Sequence, residues 1–275
     1  MLIIKQMLQQ KYILFIFSFV LLVSCNNYQK LLKSDDMLLK EEMALKYYDS
    51  KDYDRALKLF DELKIYNRGK LKAEEIAYYY AYCHYGKNDF YTASYLFSEF
   101  VNTFPNSKHA EECAYLTAYC QFLESPDYNL DQTMTKSAIE KFQKFVNMYP
   151  KSKWVADANE NIDKLRFKLQ KKDFEIAKLY YKIEEYKSAV IAFNNLVKEY
   201  PDTPFKEESL YYIAISYYEY ANKSIANKKY ERYNFAIEAA SNFAKLFPDS
   251  KYTKNIDQIY KTASKEITKY KKPNS

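Results

Sequence analysis

Glycine is almost missing from this chain: its 275 residues include two, Gly69 and Gly86. Phosphate-cradling loops and dinucleotide fingerprints need several glycines for close backbone approach, so both are excluded. Two glycines and seven prolines are also too few for a turn-rich β fold, which moves the expectation to helix. Arginine is scarce, four among 42 basic residues, and tryptophan occurs once. The net charge of +6 becomes +4 without Lys5 and Lys11, and acidic and basic residues are interleaved rather than blocked. Nucleic acid needs a concentrated basic face, so no such partner is expected. What abounds is tyrosine, 31 residues, five of them in "YYYAYCHY" (Tyr78 to Tyr85). The excess of Lys, Asn, Ile, Tyr and Phe over Gly and Arg fits an AT-biased genome, which accounts for part of that number.

Lys5 and Lys11 precede the apolar run "YILFIFSFVLLVSC", which ends at Cys25. A charged start, a short apolar stretch and a small-residue end describe a secretory signal peptide over residues 1–24, too short to span a bilayer. Leu22-Val23-Ser24-Cys25 also resembles the bacterial lipobox. In signals of that kind the cysteine carries palmitate and other acyl chains and becomes the new N-terminus. Each buried CH₂ of such an anchor contributes about 0.8 kcal/mol. Residues 25–36 are then read as a tether.

The rest of the chain repeats. "NTFPNSK", "NMYPKSK", "KEYPDTP" and "KLFPDSK" centre on Pro105, Pro150, Pro201 and Pro248. Twelve residues before each proline stands an alanine: Ala93, Ala138, Ala189 and Ala236. Phe97, Phe142 and Phe193 follow the first three by four residues, and Ala56 with Phe60 form an earlier copy that has Arg68 in place of proline. This A-x3-F…P spacing resembles the second helix of a tetratricopeptide repeat. Ala44, Ala81, Ala118, Ala177 and Ala214, at intervals of 37, 37, 59 and 37, mark the first helices. The expected fold class is therefore all-α: a right-handed superhelix of five tetratricopeptide-like hairpins.

The irregularities carry detail. The two alanines of a repeat are twelve apart in repeats 1, 2 and 4, but 20 apart in repeat 3 and 22 in repeat 5. Insertions of 8 and 10 residues follow, one in "ESPDYNLDQTMTKS", read as a loop, the other within "YANKSIANKKYERYN". Pro150 is followed by 14 extra residues, almost four helical turns, so a long helix from Trp154 to about Tyr181 is expected between repeats 3 and 4. Ile256, Ile259, Tyr260, Ala263 and Ile267 fall at helical spacing and read as a C-terminal capping helix.

Likeness to tetratricopeptide arrays also assigns an inner wall: the positions three before, one after and four after the small residue of each first helix. These are Tyr48 in repeat 1; Tyr78, Tyr82 and Tyr85 in repeat 2; Tyr115, Tyr119 and Phe122 in repeat 3. Repeat 4 gives Phe174, Lys178 and Tyr181, and repeat 5 gives Tyr211, Ile215 and Tyr218. The aromatic members other than Phe174 are the candidate partner-binding residues, since tyrosine joins a large apolar face to a hydroxyl at low entropic cost. Tyr80, directly before the small alanine, is expected in the core, and Tyr79 between core and wall.

No catalytic or metal-binding pattern is present. His84 and His109 form no HExxH, and Cys83, Cys113 and Cys120 form no CxxC pair. Small residues packed between helices explain these cysteines, though a Cys83 disulfide with Cys113 or Cys120 stays open in an oxidising compartment. The pairs Glu74-Glu75, Glu111-Glu112 and Glu207-Glu208 recur near helix starts, where the helix dipole favours them. Neither an enzyme nor a cofactor or metal site is expected.

A lipobox, then "NNYQKLLKS", then five repeats with Y-P-x-S-K-like endings over about 240 residues together resemble the BamD family of outer-membrane assembly lipoproteins, in a Bacteroidetes-like version. The resemblance covers essentially the whole mature chain. It implies a periplasm-facing, lipid-anchored subunit of the BAM complex, active in β-barrel insertion. Its partners would be a BamA-like barrel-forming subunit, unfolded outer-membrane proteins and other assembly lipoproteins. Residues 37–108 (repeats 1–2) would then bind substrate, 109–251 (repeats 3–5) would serve as scaffold, and 252–275 would cap the array. No acidic residue lies in "NNYQK" after Cys25, which suits the inner leaflet rather than surface export. Two alternatives remain: another periplasmic repeat-scaffold lipoprotein of the cell envelope, and a carbohydrate-binding uptake lipoprotein, for which one tryptophan is poor equipment.

Overall fold

The computed structural model of the chain describes residues 27–270; the leader, the lipidation candidate Cys25 and residues 271–275 lie outside the described residues. Within them the elements are helices, with no strand. α1 (Met37–Asp49) and α2 (Tyr53–Tyr66) form the first hairpin, and α3 (Ala73–Gly86) and α4 (Phe90–Thr103) the second. α5 (Ala110–Leu123) and α6 (Thr133–Met148) form the third. The 28-residue α7 (Val155–Lys182) supplies the first helix of the fourth hairpin from its C-terminal half, against α8 (Tyr186–Glu199). α9 (Lys206–Asn222) and α10 (Ala226–Leu246) make the fifth, covered by α11 (Thr253–Ile267) and a 3-10 turn, Thr268–Tyr270.

The repeat alanines are what let the helices cross closely. All ten, from Ala44 to Ala236, are fully buried, as are Phe60, Phe97, Phe142 and Phe193 beside them. Each such phenylalanine contributes roughly 1.5–3 kcal/mol by leaving water. The all-α hairpin fold, the long helix after the third hairpin and the closing helix are as the spacing predicts.

The turns show why the sequence folds this way. Phe104, Tyr149, Tyr200 and Phe247 each precede a proline, which disfavours helical backbone in the residue before it. Phe104, Tyr200 and Phe247 lie at φ −126°, −125° and −135°. Two residues past the proline, Ser107, Ser152, Thr203 and Ser250 accept the backbone N–H two positions on, at 3.0, 3.2, 3.3 and 2.9 Å, and so launch the next helix. Within hairpins 1, 2 and 4, the ones with alanines twelve apart, the turn is closed by a left-handed residue: Lys51, Asn88 and Glu184, with φ of 61°, 60° and 66°. The insertion in hairpin 3 is a loop only as far as Gln132, because Thr133 already begins α6. That in hairpin 5 is absorbed by helix extension, leaving three residues, 223–225, between α9 and α10. Tyr260 points outward, whereas Ile256, Ile259 and Ala263 of α11 are buried.

The chain divides into two compact units, 27–124 with Lys141–Val155, and Ser125–Glu140 with Ala156 onward. In the first, residues 27–32 are helical rather than a free tether: Tyr28 and Leu31 enter the core of the first hairpin. Lys40, 2% exposed, donates to the Leu32 carbonyl at 3.0 Å and pairs with Glu62. In the second, the loop after Ser125 is held to α7 by Lys168, which donates to Ser125 O (3.1 Å) and Oγ (2.7 Å). No helix among the described residues is long and apolar enough to cross a membrane.

Candidate functional site

The wall positions of the first unit come together on α1, α3 and α5. Tyr78 and Tyr82, one turn apart on α3, have ring centroids 4.7 Å apart, and Tyr85 continues the row 6.2 Å from Tyr82. Tyr48 joins it through Tyr79, at 4.9 Å. All five are half-buried, so each keeps part of its surface accessible. Phe97 and Phe100 of α4 support the row from beneath, at 5.1 Å from Tyr82 and 6.1 Å from Tyr78.

Glu112, at the start of α5, gives the row a polar centre. It accepts hydrogen bonds from Tyr82 (2.7 Å to Oε1) and Tyr78 (3.1 Å to Oε2). The His109 ring lies against Tyr78, centroids 4.1 Å apart and tilted by 32°, and is 3.8 Å from the same carboxylate. Burial pushes the Tyr78 phenol up to about 12, with Glu112 adding to it. Burial, followed by hydrogen bonds to Glu112 and Tyr78, raises Tyr82 further still. Both phenols are therefore neutral donors at physiological pH.

Tyr115 does not line an open surface. It is 7% exposed, sealed between Phe145 (5.6 Å) and the stacked rings of Trp154 (5.7 Å) and Tyr119 (5.7 Å). Tyr119 stacks in turn on Phe122 at 5.8 Å, so Trp154, Tyr115, Tyr119 and Phe122 form one near-parallel column. Tyr119, Phe122 and Trp154 remain half-buried and carry its accessible edge. Tyr80, expected in the core, is likewise only half-buried and lies under Lys64, 4.8 Å from its ring.

In the second unit Tyr181, Tyr211 and Tyr218 are half-buried on α7 and α9, while Phe174 is buried against Phe205 at 4.8 Å. Lys178 donates to Glu208 at 3.1 Å, and Asn255 donates to the Tyr211 hydroxyl at 3.3 Å. Glu112, Glu208 and Asn255 each stand five residues after the turn residue Ser107, Thr203 or Ser250. Each bonds a wall residue two helices earlier in the chain. A second rung has Ser107 and Ser250 donating to Glu74 and Glu207, at 2.6 Å each. The paired acids thus do more than meet a helix dipole: they stitch successive first helices together. Position after the turn serine was the signal that could have identified Glu112 beforehand.

Cys83, Cys113 and Cys120 are buried and free, and burial pushes the Cys83 and Cys120 thiols up to about 12, away from reactive thiolate. Among the described residues no group of three or more His, Cys, Asp or Glu side chains is placed to hold a metal ion. What the wall can do chemically is stack on apolar side chains and exchange hydrogen bonds.

A family model described as YfiO, outer membrane lipoprotein, matches residues 40–233. The outer membrane protein assembly factor BamD of Buchnera aphidicola subsp. Acyrthosiphon pisum (strain APS) is 31% identical over 91 residues, 33% of this chain and 37% of that protein. BamD of Haemophilus influenzae is 27% identical over 97 residues, 35% of this chain and 37% of that protein. The chain therefore spans little more than a third of the length of these relatives. Among solved structures, the TPR2AB-domain:pHSP90-complex of yeast Sti1 is similar over 83% of this chain and 98% of that one, at 16% identity and a TM-score of 0.38.

Proposed function

The chain belongs to the YfiO family of outer membrane lipoproteins, and from that premise we propose that it is a non-enzymatic subunit of the machinery that assembles β-barrel proteins into the outer membrane. Lipid at Cys25 anchors it there, facing the periplasm. Its first two hairpins, within 37–108, receive unfolded barrel chains, with Glu112 and Tyr119 on the first helix of the third hairpin bordering that site. Residues 109–251 hold a BamA-like barrel-forming subunit, with other assembly lipoproteins as further partners, and 252–275 close the array.

The observation that carries this reading is the row Tyr48–Tyr79–Tyr78–Tyr82–Tyr85 with Glu112 at its centre. An extended strand places alternate side chains on one side about 7 Å apart. The rings of the row are 4.7–6.2 Å from their neighbours. The rings lie closer together than that period, so apolar side chains of an incoming strand meet rings of the row without matching them one to one, while Glu112 supplies an acceptor for donors of its unpaired edge. Such binding needs no ATP, because the wall offers the strand the apolar cover it lacks in water.

A peptide of alternating hydrophobic residues ending in phenylalanine, with a photoreactive group in its middle, tests the site. Adducts are expected at Tyr78, Tyr82 and Tyr119. Adducts confined to Tyr91 and Tyr95, the exposed tyrosines of α4, would remove the wall from the mechanism.

A further inference from the structure

Hairpins 1, 2 and 4 share one length. Their first helices end five residues after the small alanine, at Asp49, Gly86 and Lys182, and their second helices begin three before theirs, at Tyr53, Phe90 and Tyr186. Hairpin 5 overruns both limits: α9 ends at Asn222, eight residues after Ala214, and α10 begins at Ala226, ten before Ala236. Tyr220, Ser224, Lys228 and Arg232 all lie in this overrun, so the shorter hairpins have no counterpart of them.

The overrun builds a fixed guanidinium. Arg232 lies over the Tyr220 ring, 3.8 Å from its centroid. Its Nη1 donates to Ser224 Oγ, and that hydroxyl is itself oriented by donating to the Tyr220 carbonyl. Arginine has further N–H donors, and among the described residues no carboxylate pairs with this one. Stacking and one hydrogen bond hold the group before any ligand arrives, so little side-chain entropy is left to lose.

Beside it, within the second compact unit, is a cavity of about 330 Å³. Lys187 of α8 joins Lys228 and Arg232 there, and Ile191, Tyr217 and Phe235 supply apolar surface. Glu231, 3.6 Å from Lys228, is the one acid in the lining, so three cations and one carboxylate leave an excess of two positive charges.

We propose that this cavity binds a phosphate monoester, held by Arg232, Lys187 and Lys228, with the organic group of the ester against Tyr217 and Phe235. A guanidinium takes two phosphate oxygens at once, and ammonium groups add point charges around the rest. Charge selects the class: near pH 7 a phosphate monoester carries about −1.5 to −2 and balances the excess, whereas a single carboxylate balances half of it. Soluble phosphate esters and lipids with a terminal phosphate share this chemistry, and two probes separate them. No residue of the tyrosine wall takes part, so this inference and the wall reading fail separately.

Four arginines give the full chain four side-chain Nε–H resonances to follow by NMR. Glycerol 3-phosphate or short-chain phosphatidic acid below its micelle concentration is expected to shift one of them saturably, the one missing from Arg232→Lys. Tighter binding of the phosphatidic acid assigns the lipid source, and tighter binding of glycerol 3-phosphate the soluble one. By calorimetry, Arg232→Lys is expected to bind the better probe about tenfold more weakly. Lys187→Gln, which removes no hydrogen bond or ion pair among the described residues, is expected to weaken binding at an unchanged unfolding temperature. Absence of a saturable shift at the Arg232 resonance with both probes overturns the proposal. So does an equal shift with succinate or chloride at matched ionic strength, or an affinity that survives both variants.

Discussion

The Tyr82 hydroxyl donates to Glu112 at 2.7 Å across the gap between two first helices, and Tyr78 shares the same carboxylate. One acid thus ties neighbouring hairpins together and sets the orientation of two rings of the wall. Replacing it separates the two roles. Glu112→Ala leaves two half-buried phenols without their acceptor and is expected to lower stability by about 1–3 kcal/mol, measured by chemical denaturation. The same variant is expected to weaken binding of the strand peptide beyond any fold loss, because the rings lose their fixed orientation.

Ring and hydroxyl contribute differently to binding. Tyr82→Phe keeps the stacking surface and is expected to change peptide affinity little, whereas Tyr82→Ala removes the middle of the row and is expected to weaken it by about tenfold or more. Titration by fluorescence anisotropy distinguishes them. Equal losses in both variants would assign recognition to the hydroxyl instead of the ring.

Alkaline pH probes the same cluster. Burial pushes the Tyr78 phenol from its ordinary 10.0 up to about 12, and Tyr82 is raised as well. The folded chain therefore holds these protons more tightly than the unfolded chain. The corresponding stability is complete below pH 10 and is lost as pH rises toward 12. Denaturation midpoints should fall across that window, and less steeply in Tyr82→Phe.

Lys40 anchors the start of the described chain. Lys40→Met leaves the Leu32 carbonyl and Glu62 without their cation and is expected to cost about 1–3 kcal/mol. The loss should appear locally, as faster amide hydrogen exchange over residues 27–33, before it appears in global unfolding.

Gly86 ends α3 where a Cβ would meet the Tyr53 ring at 2.3 Å. Gly86→Ala must displace that ring and is expected to destabilise by about 1–3 kcal/mol. Combining it with Tyr53→Ala should recover the part of the loss due to the clash, a coupling that a double-mutant cycle reads directly.

The amino-acid sequence by itself determined the helical hairpins, their number and their irregular spacing. A close helix crossing admits only a small side chain, and a proline ends the helix before it, so alanine and proline positions report crossings and turns without reference to the rest of the fold. The 14 residues after Pro150 became helix for the same local reason: nothing in them interrupts an apolar phase that returns every 3.6 residues. Which tyrosines remain accessible was not local. Tyr78 and Tyr115 occupy the same repeat position, yet Tyr115 is sealed because the chain brings Trp154, 39 positions later, onto its ring. Glu112 joins the wall only because α5 packs beside α3, and residues 27–32 become structure only because the first hairpin has a bare face to cover. Local propensity fixes which segments are helical; only packing between segments distant in the chain fixes which faces of those helices are left to meet a partner.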